Sequence, residues 1–484
     1  MKRTTSLGVL ACEALLVLAV WPASAWAAEP ITLGQGLMAA EATENSVVLQ
    51  ARLTRGQDLA GGDLPGAQGQ GRFELAAAED FAQARTGDLL TARAESDFIL
   101  RCSFDGLKPG TRYYYRLVYG PAGEAPQKTS PVCTFRTLSG AAGEGEYRLA
   151  VVTGMNYAFF HDGHKGGRDS NVPKEQRRIG YPGLAAMAGL KPDYFIGTGD
   201  NVYYDHPGGP KSAVEEVQMR RKWHEQFSQR RYIDLFARTA TYWEKDDHDF
   251  RYNDSDLTGD KPPSVELGLR IFSEQLVLPK TPYRTLRVNK HLQIWLLEGR
   301  DFRSPNAMPD GPDKTIWGKQ QQQWLQRTLA ESDAAYRVVV SPTPLIGPDT
   351  VSKRDNHVNP RGFRHERDAF FAWLKDKGLT SKPQPGRPQV LLVCGDRHWQ
   401  YHAVDPSGME EFSCGALVDE NAVTGSFPGQ PKSSDPEGTI RHLYHPRQAQ
   451  GGFLMMTIQA GGKLAMEFYD TAGKKQYESV RAGS

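Results

Sequence analysis

Between residues 30 and 137, apolar positions come in short runs broken by Gly and Pro. Residues 46–53 (Ser-Val-Val-Leu-Gln-Ala-Arg-Leu) and 97–104 (Asp-Phe-Ile-Leu-Arg-Cys-Ser-Phe) are typical. Runs of this kind, about 10 residues apart with turn residues between them, predict the short strands of a β-sandwich. At 139–145 (Ser-Gly-Ala-Ala-Gly-Glu-Gly) the chain turns to small residues, which reads as a linker. Beyond it the pattern changes. Apolar runs at 147–153, 193–197, 292–297, 336–340 and 390–393 predict strands, and 183–190 and 319–331 predict helices. Strands that alternate with helices and end in polar residues indicate an α/β layered domain with its site at the strand ends. Two more strands, 453–459 and 464–469, are expected to pair antiparallel.

The first 27 residues fit neither pattern. Lys2 and Arg3 precede an apolar stretch at 14–20, and Ala25-Trp26-Ala27 offers the small residues of a cleavage site. This reads as a secretory leader cut before Ala28, so the protein is expected in the periplasm or outside the cell. The expected organisation is 1–27 leader, 28–138 all-β sandwich, 139–146 linker and 147–484 layered domain. Within the sandwich, residues 106–117 (Gly-Leu-Lys-Pro-Gly-Thr-Arg-Tyr-Tyr-Tyr-Arg-Leu) resemble the turn and strand of fibronectin type III domains, where a Tyr closes the corner. Cys102 and Cys133 lie on candidate strands there, either as a disulfide or as two buried thiols.

Composition narrows the classes without naming one. The 484 residues carry 58 Lys+Arg against 57 Asp+Glu, a near-neutral balance that disfavours nucleic acid or an anionic membrane as main partner. A 39% hydrophobic share suits a globular chain with a sizeable core. Five cysteines without CxxC spacing exclude a disulfide scaffold. No later segment approaches the ~20 apolar residues of a membrane span.

The chemistry lies in four clusters: 199–205 (Gly-Asp-Asn-Val-Tyr-Tyr-Asp), 245–253 (Lys-Asp-Asp-His-Asp-Phe-Arg-Tyr-Asn), 298–304 (Glu-Gly-Arg-Asp-Phe-Arg-Ser) and 395–398 (Gly-Asp-Arg-His). Each alone is an ordinary turn or a solvated acidic stretch. Together they would bring Asp, Asn and His side chains to one sheet edge. Carboxylates gathered there need a cation between them, and mixed nitrogen and oxygen ligands suit Zn, Mn, Ca or Fe. Two or more such ions would clamp a phosphoryl or sulfuryl group and supply hydroxide as nucleophile. Nearby arginines would grip its non-bridging oxygens.

These motifs resemble the PhoD-type alkaline phosphatases of the metallophosphoesterase superfamily. The matching positions are Gly199-Asp200-Asn201-Val202-Tyr203, Asp246-Asp247-His248-Asp249, Glu298 to Ser304, Gly318 to Leu325 (Gly-x-x-Gln-x-x-Trp-Leu as Gly-Lys-Gln-Gln-Gln-Gln-Trp-Leu) and Gly395-Asp396-Arg397-His398. The resemblance implies a layered metallophosphoesterase-like β-sandwich with flanking helices, preceded by an all-β domain of the fibronectin III or Ig kind. It implies that Asp200 bridges two metals, that Tyr203, Asp247, Asp396 and His398 are ligands with Asn253 a weaker one, and that His248 serves the phosphate side. Arg300 and Arg303 would contact substrate oxygens. Asp246, Asn156 and Glu298 are further candidates. Glu298 stands where the family carries Asp, and Asn156 is a replacement oxygen because Gly154 stands where the family carries a thiolate. Ser341-Pro342-Thr343-Pro344 follows a strand where relatives carry Asn, Gln or His.

The function expected is hydrolysis of phosphate mono- or diesters, in small molecules or polymers, by metal-bound hydroxide. Two alternatives stand beside it: a sulfatase of the same fold acting on sulfated polysaccharide, and a non-catalytic binding protein.

Overall fold

Two large β-sheets face each other in this computed structural model, which describes residues 30–163, 169–170, 172–384 and 386–483. The leader expected at 1–27 lies outside the described residues. The first sheet has nine strands and centres on three parallel ones, β1 (Tyr147–Val152), β2 (Tyr194–Thr198) and β3 (Ala240–Glu244). Beside β1 run Gly452–Ile458, Leu464–Asp470 and Lys475–Arg481, each antiparallel to its neighbour. The second sheet has seven strands, four of them parallel: β4 (Leu292–Leu296), β5 (Tyr336–Ser341), β6 (Gln389–Cys394) and β7 (Glu410–Cys414).

The strand residues alternate between two cores. Leu149 and Val151 of β1, Ile196 of β2 and Val338 and Val340 of β5 point between the sheets and share one apolar cluster. Ala150, Val152, Phe195 and Trp243 face outward and pack on the helices Pro182–Leu190, Glu216–Phe227 and Arg230–Phe236. Trp295, Val339 and Leu392 face outward from the second sheet onto Gly318–Glu331 and Arg364–Asp376. Both faces of each parallel core are covered, which is why these strands read as unbroken apolar runs. Truncating a fully buried Trp such as Trp243 would cost about 3–5 kcal/mol.

The N-terminal strands join this sandwich. Leu37–Ala40 pairs parallel with β3 through Ala40 and Thr241, and Ser46–Arg52 and Ile99–Asp105 continue the same nine-stranded sheet. A separate six-stranded sheet centres on Gly69–Ala76 and Arg112–Gly120. The change of pattern at 139–146 is therefore no break in the first sheet. At the corner before Arg112–Gly120, the Lys108 amide donates to the Tyr113 hydroxyl (2.8 Å). Cys102 and Cys133 lie on different sheets and are free thiols. Among the described residues, no helix is long and apolar enough to cross a membrane.

Candidate metal centre

The parallel strands release their loops at one edge, and backbone geometry there is tightly set. Gly199, just after β2, has φ +77, and a Cβ on it would lie 2.4 Å from the Cβ of Asp246 after β3. Only glycine lets these two loops pass. Asp200 and Asp396, the acids following β2 and β6, both adopt positive φ (54° and 56°), a left-handed conformation that Asp tolerates better than most residues.

Asp200 is the meeting point. Its Oδ2 accepts from the Tyr203 hydroxyl (2.9 Å) and lies 2.9 Å from His398 Nε2. Asp200, Asp247 and His248 are buried, and their ligand atoms lie within 4.8 Å of one another. Two further groupings share members with this one: Asp205, His206 and His248, and Asp247, Asp254 and Asp355. The His248 Nδ1 pairs with Asp205 (2.7 Å). Burial alone would lower the His248 pKa, but Asp247, Asp200 and Asp205 outweigh it and raise it well above the imidazole range. Asp396 is pushed up to about 8, mainly by burial, with Asp355 and Asp247 adding to it against the pull of Arg397.

A metal fits these residues. Asp200 Oδ1 and Asp246 Oδ2 are buried and have no hydrogen-bond partner among the described residues. A buried carboxylate oxygen left so is costly unless a cation meets it. The donors are carboxylates and imidazoles, which suit divalent zinc, manganese, calcium or iron.

Asp200, Tyr203, Asp247, His248 and His398 thus come together, and Asp396 stands beside them with Arg397 at 2.9 Å. The other expected residues have different occupations. Arg300 has no free guanidinium: Nε and Nη2 donate to Asp246, and Nη1 donates to the Ser255 carbonyl (2.6 Å). Asp246 is that arginine's partner and also caps the short helix Asp247–Phe250 in a reciprocal box with Asp249. Glu298 accepts from Lys245 (2.8 Å) and from the amides of Arg300 and Asp301, so its longer arm clamps a turn. Asn156 caps the helix Tyr157–Asp162 through its oxygen (3.0 Å) and pairs through its amide with His206 (2.7 Å). Asn253 is exposed, and its backbone amide donates to Asp205 (3.0 Å). Arg303 keeps one end available: Nε and Nη1 donate to Asn306 and the Gly299 carbonyl, while Nη2 is buried without a partner among the described residues.

Sequence reasoning missed His206, Asp254, Asp355 and Asn421, and gave no role to Asp205, the last residue of the 199–205 cluster. His206 directly follows that cluster and Asp254 follows Asn253, so adjacency was the available signal. Asp355 sits in a loop and Asn421 ends a short 3-10 turn (Asp419–Asn421), neither with such a marker. The Asn421 amide donates to both the Gly154 carbonyl (3.0 Å) and the Tyr203 hydroxyl (2.8 Å). Gly154 has φ +66, and a Cβ on it would lie 2.9 Å from the Ala416 Cβ. That position has no room for a side chain. At the end of β5, Ser341 donates to the Thr343 carbonyl (2.7 Å), and the Thr343 hydroxyl is buried without a partner among the described residues. Beside Asp254 and Asp355 a groove of about 720 Å³ opens, lined also by Tyr252, Asn306 and Lys353.

The two facing sheets with helices on their outer faces give the chain a metallophosphoesterase-like fold. A solved structure of PhoD has a TM-score of 0.70 with this chain at 20% identity, covering 94% of this chain and 90% of that one. The purple acid phosphatase PPD1 from yellow lupin (Lupinus luteus) seeds has a TM-score of 0.59 at 11% identity, over 92% of this chain and 73% of its own. Alkaline phosphatase D of Bacillus subtilis (strain 168) is 24% identical over 502 aligned positions, covering 91% of this chain and 77% of that protein. The family model for the PhoD-like phosphatase N-terminal domain matches residues 20–139, and that for PhoD-like phosphatase matches 268–462. The chain belongs to the PhoD-like phosphatase family.

Proposed function

We propose that this protein is an exported, metal-dependent hydrolase of phosphate mono- or diesters, acting at the strand-end cluster. The observation that carries the reading is the buried Asp200–Asp247–His248 grouping, with Asp200 Oδ1 lacking a partner among the described residues. Asp200, Asp247, Asp396 and His398 would hold the metal, with Tyr203 bracing Asp200. Bound there, two or more divalent ions would polarise the phosphoryl group and make water acidic enough to act near neutral pH.

The chain's own residues do the rest. The Asp205 carboxylate fixes the His248 ring through Nδ1, which leaves Nε2 as the atom that passes a proton to the departing alcohol. Arg303 Nη2 is the donor available to a non-bridging oxygen. The alcohol portion, from a small molecule or a polymer, is taken by the groove beside Asp254 and Asp355. Export rests on the basic–apolar–small pattern of residues 1–27. The Tyr113 corner supports a fibronectin III kind of module in the N-terminal part.

Asp200→Asn and His398→Ala test the reading. Each is expected to abolish hydrolysis of 4-nitrophenyl phosphate and its bis-ester while melting temperature and circular dichroism stay near wild type. Normal turnover in either variant would sink it, and turnover by the wild type of 4-nitrophenyl sulfate alone would replace phosphate by sulfate.

A further inference from the structure

Asp247 belongs to two carboxylate groupings. On one side are Asp200 and His248, on the other Asp254 and Asp355. The two sides differ in how their charge is met. Asp200 keeps a buried oxygen without a partner, whereas among the described residues no buried oxygen of Asp247, Asp254 or Asp355 is left so. The second grouping already has a cation. The Lys353 ammonium pairs with Asp254 and lies 3.9 Å from Asp355, and its charge acts on Asp247 and Asp396 as well.

Lys353 is held there by design of the loop. Its amide donates to the Thr350 carbonyl (3.0 Å), closing a turn. The buried Asn359 then donates to the carbonyls of Thr350 (3.1 Å) and Lys353 (2.8 Å), pinning both ends of that turn. Three carboxylates this close, two of them buried, would repel without a positive charge among them. A lysine ammonium meets that need without an ion from solution.

We propose that Lys353 is the resident cation of the Asp247–Asp254–Asp355 grouping, standing in place of a divalent ion and confining metal to the Asp200 side. The inference rests on the reading of Asp200, Asp247, Asp396 and His398 as the metal centre. Lys353 is then a positioning residue that acts through the shared Asp247.

Metal content tests this directly. Full-length wild type, Lys353→Met and Lys353→Arg are equilibrated with Ca²⁺ or Mn²⁺, freed of excess, and measured by elemental analysis and thermal melting. Lys353→Met is expected to hold about one more divalent ion per chain than wild type, and to show a larger Ca²⁺-dependent rise in melting temperature than wild type. Lys353→Arg keeps the charge and should keep the wild-type content. No gain in the Met variant, or an equal gain in the Arg variant, overturns the proposal. Where the Met variant does not fold, Asp254→Asn decides: unchanged metal content supports it, and loss of about one ion means that a metal, not Lys353, occupies the grouping. Metal in wild type with no gain in Lys353→Met refutes this inference alone. Metal in neither refutes the metal-centre reading too.

Discussion

Replacing Arg300 by methionine separates a structural from a substrate-binding role for this side chain. Arg300 is 1% exposed, and its Nε lies 2.8 Å from an Asp246 carboxylate that is itself 0% exposed. Met fills much of the arginine stem and removes the charge. Asp246, which already has one oxygen without a donor, would lose its two bonds to Arg300, and the Ser255 carbonyl would lose another donor. Breaking one side of a buried ion pair costs about 3–5 kcal/mol. The lower end applies if Asp246 takes up a proton, since burial, with Asp247 adding to it, already holds its pKa well above the carboxylate range against the pull of Arg300. The assay is urea unfolding followed by tryptophan fluorescence, together with KM for 4-nitrophenyl phosphate on the folded protein. The expected result is a large fall in the unfolding midpoint with little change in KM. Arg300→Met combined with Asp246→Asn should recover part of the loss, because both members of the pair are then neutral. An unchanged midpoint with KM raised about tenfold would refute the reasoning and return Arg300 to the substrate; that is a loss of about 1.4 kcal/mol in binding.

Three further outcomes are open to measurement. Burial would raise the Asp97 pKa, but His224 and Arg52 outweigh it and hold the carboxyl well below its usual range. Its stabilising effect is therefore present above about pH 4 and is lost as pH falls through the lowered folded value. Asp97→Asn, which tolerates φ +48, should be less stable than wild type at pH 7 by a margin that shrinks in acid; a constant gap down to pH ~3 would contradict this. Gly154→Ala should lose about 1–3 kcal/mol from positive φ and the Ala416 contact, and an unchanged urea midpoint would show that the loop yields. Tyr113→Phe should lose about 1 kcal/mol with the Lys108 bond, read from the same midpoint, and no loss would mean that water replaces the hydroxyl.

What could be read ahead of the structure was what local pattern carries. The apolar runs at 147–153, 292–297 and 336–340 match β1, β4 and β5 within a residue, because a strand covered on both faces must be apolar throughout. Gly-Asp after a strand end located Asp200 and Asp396 for a similar reason: the turn and the exposed loop edge leave a mark in the sequence. Non-local pairing leaves none. Nothing around Leu37–Ala40 indicates that it pairs beside Thr241, some 200 residues later in the chain. The same limit governs Arg300 and Glu298. The spelling of 298–304 invites substrate contact, but the charges that claim these two side chains, Asp246 and Lys245, sit about 50 residues away. Lys353 and Asp355 were invisible for the converse reason, since they belong to a loop between β5 and β6 that has no periodicity of its own.

The most direct test of the central claim is the rate of 4-nitrophenyl phosphate hydrolysis before and after chelation, with metal content measured on the same samples. The account expects metal in the active protein, loss of both metal and turnover on dialysis against chelator, and return of turnover when Zn²⁺, Mn²⁺, Ca²⁺ or iron is restored. In Asp200→Asn the added metal should not restore it. Phosphate-ester turnover that persists in metal-free protein, or that is equal in wild type and Asp200→Asn, would contradict the assignment of the strand-end cluster as a metal-dependent phosphoesterase centre.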